Sequence, residues 1–291
     1  MYSRVDQCPL CGQETADNFL IVKDHFLTGE DFHLARCTNC SLVYTNPRPS
    51  LRTLSRYYDS KDYLSHKSSF SLLGIAYRIF RSYNIRYKHQ ILKKHIKPSS
   101  VLDYGCGTGS FLSSFDKSLK VIGVEPNPDA RAYCISQHHL EVHENLDQID
   151  KNSRFDLITL WHVLEHVYDL NETFALLRKY LSKEGVMVIA VPNIQSKDRL
   201  EFKNHWAAFD VPRHLYHFDD DSIKELFKKH RMRLISKAGL WMDSYYISLQ
   251  SLKYRGDSFA FIKSLKYGYA SNQSAENTGN YSSNVYIIKK Y

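Results

Sequence analysis

The sequence has no uncharged apolar run of membrane-spanning length and no internal repeat. Nothing before Cys8 resembles a secretory signal, so we expect a cytoplasmic protein without membrane insertion. Charged residues make up 24% of the chain, which argues against disorder. Acidic residues are outnumbered, with 31 Asp and Glu against 39 Lys and Arg, and the net charge of +8 weakly indicates an affinity for phosphates, nucleic acid or anionic metabolites.

Cysteine is scarce, but four of the six cysteines share a pattern. They form two C-x2-C pairs, at Cys8, Cys11, Cys37 and Cys40. Two such pairs supply four thiolates to one tetrahedral ion, for which zinc is the expected metal and iron an alternative. Because sulfur would fill every position, this predicts structural rather than catalytic zinc. The apolar segments at residues 19–24 and 32–36 predict the short strands of a zinc ribbon.

A glycine-rich loop follows a predicted strand that begins at Val101. The sequence Asp-Tyr-Gly-Cys-Gly-Thr-Gly occupies residues 103–109, and a second strand from Val121 ends in an acid, Glu125. Glycines allow a tight turn close to a ligand, a helix after them would point its N–H groups at it, and the acid can accept hydrogen bonds from ribose hydroxyls. A dinucleotide-binding fingerprint would have glycine at position 110, where this sequence has Ser110. The carboxylate of Asp103 is better suited to bind the ammonium of an amino-acid group than a pyrophosphate.

These motifs resemble those of class I S-adenosylmethionine-dependent methyltransferases. The resemblance covers about residues 99–240 and rests on residues 103–109, 123–125 and 155–166. It implies that the glycine loop cradles the methionine part of S-adenosylmethionine and that Glu125 holds its ribose. The expected cofactor contacts are Asp103, Gly105, Cys106, Gly107, Gly109, Glu125, Asn145 and Trp161.

The order of elements predicts an α/β fold. Alternating strands and helices, with strands at about residues 101, 121, 140, 155 and 186, indicate a doubly wound, Rossmann-like sheet. The resemblance implies seven strands, of which the last, near residues 284–289, is antiparallel. We expect three regions: a zinc ribbon at residues 1–46, a linker and helical cap at 47–98, and a methyltransferase domain at 99–291. Residues 271–280 read as a polar loop.

Two histidine-containing segments follow predicted strands. The first, Trp-His-Val-Leu-Glu-His at residues 161–166, places His162, Glu165 and His166 at helical spacing, and a neutral imidazole there could accept a proton from an acceptor hydroxyl. A metal site is an alternative interpretation, although the segment lacks the setting of a metalloprotease. Packing or salt-bridging roles are a further alternative.

The second segment lies in a loop at about residues 193–218, which the resemblance identifies as a lid. Its aromatic residues Trp206, Phe209 and Tyr216 could enclose a planar acceptor, while Arg213 and His214 could meet an anion or a carbonyl. An alternative is a loop fixed by aromatic packing, with Arg213 paired to Asp210. We include His162, His166 and His214 as candidate catalytic residues.

Together these patterns predict an S-adenosylmethionine-dependent methyltransferase that acts on a small molecule, such as a metabolite, a sugar nucleotide or a lipid-like precursor. An RNA base is the alternative acceptor, favoured by the ribbon and the net charge. However, no Asn-Pro-Pro-Tyr type tetrapeptide, which amino-group base methylases use, follows the fourth strand. The third hypothesis is of another class: the chain binds the cofactor without catalysis and recruits a partner through the ribbon.

Overall fold

The computed structural model describes residues 2–58 and 72–291, and within the helix that begins at Leu72 it describes side chains from residue 81 onward. The strands are β1 (Tyr2–Ser3), β2 (Ala16–Lys23), β3 (Asp31–Cys37), β4 (Val43–Thr45), β5 (Arg48–Pro49), β6 (Ser100–Tyr104), β7 (Lys120–Val124), β8 (Glu141–His143), β9 (Phe155–Trp161), β10 (Leu181–Pro192), β11 (Tyr216–His217), β12 (Met232–Gly239) and β13 (Ser283–Lys290). The helices are α1 (Leu51–Leu54), α2 (Leu72–Lys93), α3 (Pro128–His138), α4 (Leu170–Tyr180), α5 (Lys197–Phe202), α6 (Asp220–Lys229), α7 (Asp243–Tyr254) and α8 (Ala260–Thr278).

The centre of the molecule is a seven-stranded sheet in the order β12-β13-β10-β9-β6-β7-β8. Strand β13 runs antiparallel to β10 and β12, whereas the other neighbouring strands are parallel. The central strands β9 and β10 are buried along most of their length, as expected for a sheet covered on both faces. The predicted Rossmann-like sheet with an antiparallel last strand is confirmed.

The cysteine-rich N-terminus forms a second sheet, in the order β11-β4-β3-β2. Three of these strands belong to the predicted ribbon, but β11 comes from residues 216–217. Further contacts join the two regions, because Ser41 and Arg36 both reach the carboxylate of Asp219, which caps α6. The ribbon therefore shares a sheet with the predicted lid segment.

Three local predictions are wrong. The helix expected after the glycine loop is only a 3-10 turn at residues 112–114, where Ser114 donates to the carbonyl of Phe111 and so competes with helical bonding. The segment from His162 to His166 is a turn rather than a helix, because His162 has a left-handed φ of 58° and α4 starts only at Leu170.

The third wrong prediction is the polar loop at residues 271–280, most of which belongs to α8. Two of its polar side chains are buried and have partners: Ser271 donates to Asp198, and Asn272 donates to the carbonyl of Trp241. Among residues 2–58 and 72–291, we find no helix with the length and apolar character needed to cross a bilayer.

Candidate active site

Three parallel strands end at the same edge of the central sheet and place the predicted site residues together. Asp103 lies near the end of β6, Glu125 directly follows β7, and Trp161 is the last residue of β9. Ligands of doubly wound sheets bind in the crevice at this edge. The fold thus brings together the residues of the sequence motifs.

The glycine loop has the backbone shape that the sequence predicts. Gly105, Gly107 and Gly109 all have positive φ, between 55° and 76°. A Cβ on Gly105 would lie 2.4 Å from Val163, whereas one on Gly107 would meet no atom within 4 Å. Gly107 therefore leaves open space where a ligand can approach the backbone, and Gly105 permits close packing against the turn after β9.

Glu125 faces this loop. Its carboxylate accepts hydrogen bonds from the backbone N–H groups of Gly107, at 2.8 Å, and Asn127, at 2.9 Å. The side chain is 9% exposed. A carboxylate that is fixed beside the loop can accept further hydrogen bonds from the hydroxyls of a ribose.

Asp103 is buried beneath the loop, where its Oδ1 accepts a hydrogen bond of 2.5 Å from the hydroxyl of Thr159. Burial raises the pKa of Asp103 to about 6, opposed by the Thr159 bond and the charge of Lys88. The carboxylate is therefore mostly ionised at neutral pH. A buried anion at this place favours a cationic ligand group.

A cation that the sequence analysis did not assign to the site also lies here. The Nζ atom of Lys88, on α2, is 4.3 Å from the ring centroid of Trp161 and 5.5 Å from that of Phe111. Burial lowers the pKa of Lys88 to about 8, partly offset by Asp103 and Asp243. Its position in a generally basic helix carried no signal that would distinguish it from the other lysines and arginines.

His162 is held between two carboxylates. Its Nε2 is 3.0 Å from Asp243, the first residue of α7, and its Nδ1 is 3.5 Å from Glu165. Burial alone would lower the pKa of His162, but these two carboxylates raise it to about 10. At neutral pH the ring is consequently an imidazolium, unlike the neutral base that the sequence analysis expected.

Glu165, His166 and His214 form a second cluster. Their ligand atoms all lie within 4.8 Å of one another, a spacing that could hold a divalent cation. The carboxylate of Glu165 is buried, and in the described part of the chain neither of its oxygens has a hydrogen-bond partner. The two histidine rings pack edge to face, with centroids 4.5 Å apart.

Hydrogen bonds fix the orientation of both rings. The Nδ1 atom of His166 lies 3.0 Å from the carbonyl oxygen of Arg213, and that of His214 lies 2.9 Å from the carbonyl oxygen of Ala208. A carbonyl can only accept, so the Nδ1 atom of each ring donates to it. Burial lowers the pKa of His214 well below its usual value, with His166 and His217 adding to the effect.

The aromatic segment does not form the open acceptor wall that the sequence analysis expected. Trp206, Phe209 and Tyr216 are at most 1% exposed, and Trp206 donates to Asp198 at 2.8 Å. Trp206 and Phe209 pack in one hydrophobic cluster with apolar side chains of the ribbon strands. The alternative interpretation, a loop fixed by packing, describes these residues.

Arg213 is likewise unavailable to an anionic acceptor. Its guanidinium donates to Asp210 and to Asp24 of the ribbon, both at 2.8 Å, and to the carbonyl of Tyr57. Burial would lower the pKa of Arg213, but the two carboxylates raise it. Burial raises the pKa of Asp24, but the Arg213 guanidinium, with hydrogen bonds from Thr28, lowers it below its usual value. Arg213 is therefore a buried link between the ribbon and the loop.

The remaining residues predicted to contact the cofactor differ in their burial. Cys106 is buried behind Gly123, and Gly109 packs against Cys134. Asn145 is exposed and caps a short turn by accepting a hydrogen bond from the N–H of Asp147. Asp243, which the sequence analysis missed, carries no local motif and reaches the site only because α7 starts there.

The four predicted cysteines of the ribbon converge. The sulfur atoms of Cys8, Cys11, Cys37 and Cys40 lie within 4.8 Å of one another, and three of the four residues are buried. Four thiols at this spacing fit a tetrahedral zinc site with no open position.

Comparison with known sequences identifies relatives of the central region. The family described as "Methyltransferase domain" matches residues 77–236, more than half of the chain. A ubiquinone biosynthesis O-methyltransferase of Rhodopseudomonas palustris (strain TIE-1) is 27% identical over 147 residues, which is 46% of this chain and 56% of that protein. One from Bradyrhizobium diazoefficiens is 31% identical over 100 residues, or 32% of this chain and 40% of that protein. The chain thus spans about half the length of these curated relatives.

Solved structures with a similar outline share little sequence. The plantazolicin methyltransferase BpumL, in complex with a monoazolic desmethylPZN analog and SAH, has a TM-score of 0.49 and 16% identity, over 82% of this chain and 94% of that chain. A SAM-dependent methyltransferase from Archaeoglobus fulgidus has a TM-score of 0.46 and 18% identity, over 72% of this chain and 94% of that chain.

Proposed function

The chain belongs to the methyltransferase-domain family, and we propose that it transfers a methyl group from S-adenosylmethionine to a hydroxyl group of a small-molecule acceptor. A metabolite, a sugar nucleotide and a lipid-like precursor are the acceptor classes we favour. The similarity to ubiquinone biosynthesis O-methyltransferases supports an oxygen acceptor. The histidine cluster offers a proton acceptor and lies partly in the turn whose Val163 packs against Gly105, which supports it as well.

The residues at the sheet edge fit this cofactor. Gly107 leaves open space beside the loop, buried Asp103 can hold the ammonium of the methionine part, and Glu125 can accept from the ribose hydroxyls. When bound, S-adenosylmethionine supplies an electrophilic methyl group. The protein then has to bind it, orient the acceptor and accept a proton.

The arrangement of Asp103, the glycine loop and Glu125 at one edge is the observation that carries this proposal. Its direct test is calorimetric titration with S-adenosylmethionine, S-adenosylhomocysteine and, as a negative control, NADH. We expect binding of the two sulfur compounds alone. Binding of NADH alone would overturn the interpretation of the glycine loop.

A matched pair of variants tests the position of the ribose. Glu125→Gln removes the charge that accepts from the hydroxyls, and we expect about 10- to 100-fold weaker binding of both sulfur compounds. Glu144→Gln is the control, since Glu144 is exposed and close in sequence. Equal affinities of the two variants would count against Glu125 as the ribose ligand.

We assign proton acceptance to the His166–His214 pair rather than to His162. His214 is neutral at physiological pH, and its Nε2 is an acceptor. His162, as an imidazolium between Asp243 and Glu165, has no lone pair to offer and instead positions the turn. His214→Asn should lower kcat without changing the affinity for S-adenosylmethionine, and an unchanged kcat with any methylated product would exclude this role.

We also propose that the four clustered cysteines bind structural zinc and that the chain divides functionally into a ribbon (1–46), a linker and helical cap (47–98) and a methyltransferase domain (99–291). Residues 59–71 of the middle region lie outside the described residues. The contacts through β11, Arg213 and Asp219 support the proposal that the ribbon stabilises the loop next to the histidine pair.

A further inference from the structure

The α7–α8 hairpin exposes several large apolar side chains, most of them at the start of α8, here called the hairpin patch. Its members are 50–76% exposed and are Tyr246, Phe259, Phe261, Ile262, Leu265 and Tyr269. Scattered exposed apolar residues are ordinary, but a contiguous group of this size marks an interaction surface.

The patch is a separate face of α8 and not the face that packs. At 3.6 residues per turn, Phe261, Leu265, Tyr269 and Ile262 fall within an arc of about 100°. Four of the five buried positions, Ser264, Gly268, Ser271 and Ala275, lie on the adjoining arc, against the rest of the protein, and the fifth, Asn272, lies at the border of the two arcs. α8 therefore has a small-residue face toward the core and an aromatic face toward solvent.

Positive charge borders the patch. Lys253, Arg255, Lys263 and Lys266 are exposed around it, and Asp257 is the only acid in the sequence between residues 253 and 269. The carboxylate of Asp257 is already paired with Lys263, at 2.6 Å, and with Arg255, at 3.2 Å. Glu201 lies beside Lys266, so these four cations face two acids, and the surface combines apolar side chains with an excess of cations.

We propose that the hairpin patch docks this protein onto the surface of an anionic phospholipid bilayer. An amphipathic helix with Phe and Leu on one side and Lys beside them lies in the bilayer interface, where apolar groups enter the acyl boundary and cations meet headgroup phosphates. A second copy of the chain is a poorer occupant. A two-fold contact would bring the same lysines of both copies together.

Docking would bring the candidate active site close to the bilayer. α7 starts at Asp243, which contacts His162, and ends at Tyr254 beside the patch. Twelve helical residues span about 18 Å, so an acceptor that partitions into the bilayer would be within a short distance of the site. Membrane docking itself does not depend on methyl transfer and is measured without cofactor.

The test is co-sedimentation of the full-length protein with vesicles of phosphatidylcholine, with and without phosphatidylglycerol. We expect binding to the anionic vesicles, weakening as salt concentration rises. Phe261→Ser combined with Ile262→Ser should reduce this binding at least about tenfold. Lys253→Glu combined with Lys266→Glu should do the same on anionic vesicles.

Matched controls lie on α3 and on other surfaces. Tyr133 and Ile135 are 47% and 50% exposed, so Tyr133→Ser with Ile135→Ser removes similar apolar area elsewhere. Lys151→Glu with Lys228→Glu removes equal charge, and both control pairs should bind vesicles as the wild type does.

Three results would overturn the proposal. These are a wild-type protein that stays in the supernatant with anionic vesicles, hairpin variants that sediment as the wild type does, and hairpin variants that abolish a dimer in light scattering while vesicle binding persists. Because S-adenosylmethionine binding is titrated separately, failure of the docking proposal and failure of the proposed function are distinguishable.

Discussion

The two clusters of potential ligand groups, the four cysteines of the ribbon and the Glu165–His166–His214 group, are assembled in different ways. Each cysteine pair is set by a local C-x2-C turn, and only one pairing of strands, β2 with β3, brings the two turns together. His214 reaches His166 through long-range contacts: the N–H groups of Leu215 and Tyr216 donate to the carbonyl of Glu165, and Arg213 links the same loop to the ribbon. Local spacing specifies the first cluster, and tertiary contacts specify the second.

This difference has an energetic consequence. The proposed zinc would stabilise the ribbon directly, because a site that exists only in the folded chain couples metal binding to folding. The histidine cluster has an energetic cost: among the described residues, the buried carboxylate of Glu165 has an ion pair with His162 but no hydrogen bond to offset its desolvation. The first cluster should support the fold, and the second should depend on it.

The largest effect is expected from loss of the proposed zinc. Cys37→Ser removes one thiolate and should cost about 5 kcal/mol or more of ribbon stability, together with the bound metal. Metal content by elemental analysis and thermal unfolding measure both. Asn39→Ala, an exposed change between Cys37 and Cys40, is the control. Full metal content in Cys37→Ser would contradict the assignment.

Arg213→Met should have the next largest effect. It leaves Asp24 and Asp210 without their cation, and breaking a buried pair in this way costs about 3–5 kcal/mol. Urea unfolding measures the loss, and adding Asp24→Asn should restore part of it. Arg36→Met, which removes a half-exposed partner of Asp219, should cost about 1 kcal/mol or less. If both single variants lost the same free energy of unfolding, Arg213 would not be the link between the ribbon and the loop.

A pH effect should distinguish His162 from His214. The folded protein raises the pKa of His162 to about 10 from an ordinary value near 6.5, so its stabilisation is complete below about pH 6.5 and is lost as the pH rises toward 10. Wild-type stability should therefore fall across this window more than that of His162→Gln. NMR titration of the ring gives the pKa directly, and a value near 6.5 would refute the assignment.

The same contrast explains what the sequence could predict. The glycine loop, Glu125 and the cysteine pairs are local patterns whose geometry follows from strand order and residue type, and the structure places them as expected. Lys88 and Asp243 enter the site from α2 and α7, and no local pattern marks them. Ser271 and Asn272 look like loop residues until their buried partners are known.

The smallest effects are expected from replacing one glycine in each region by alanine. Gly12, in the first cysteine turn, and Gly107, in the cofactor loop, both have positive φ, at 83° and 55°, and a Cβ on either would meet nothing within 4 Å. Alanine should therefore cost each region only the backbone penalty of about 1 kcal/mol. Thermal unfolding should barely separate the two variants, but calorimetry should, because only Gly107 faces the proposed cofactor. If Gly12→Ala weakened S-adenosylmethionine binding as much as Gly107→Ala, the open space at Gly107 would not be the place where the cofactor approaches the backbone.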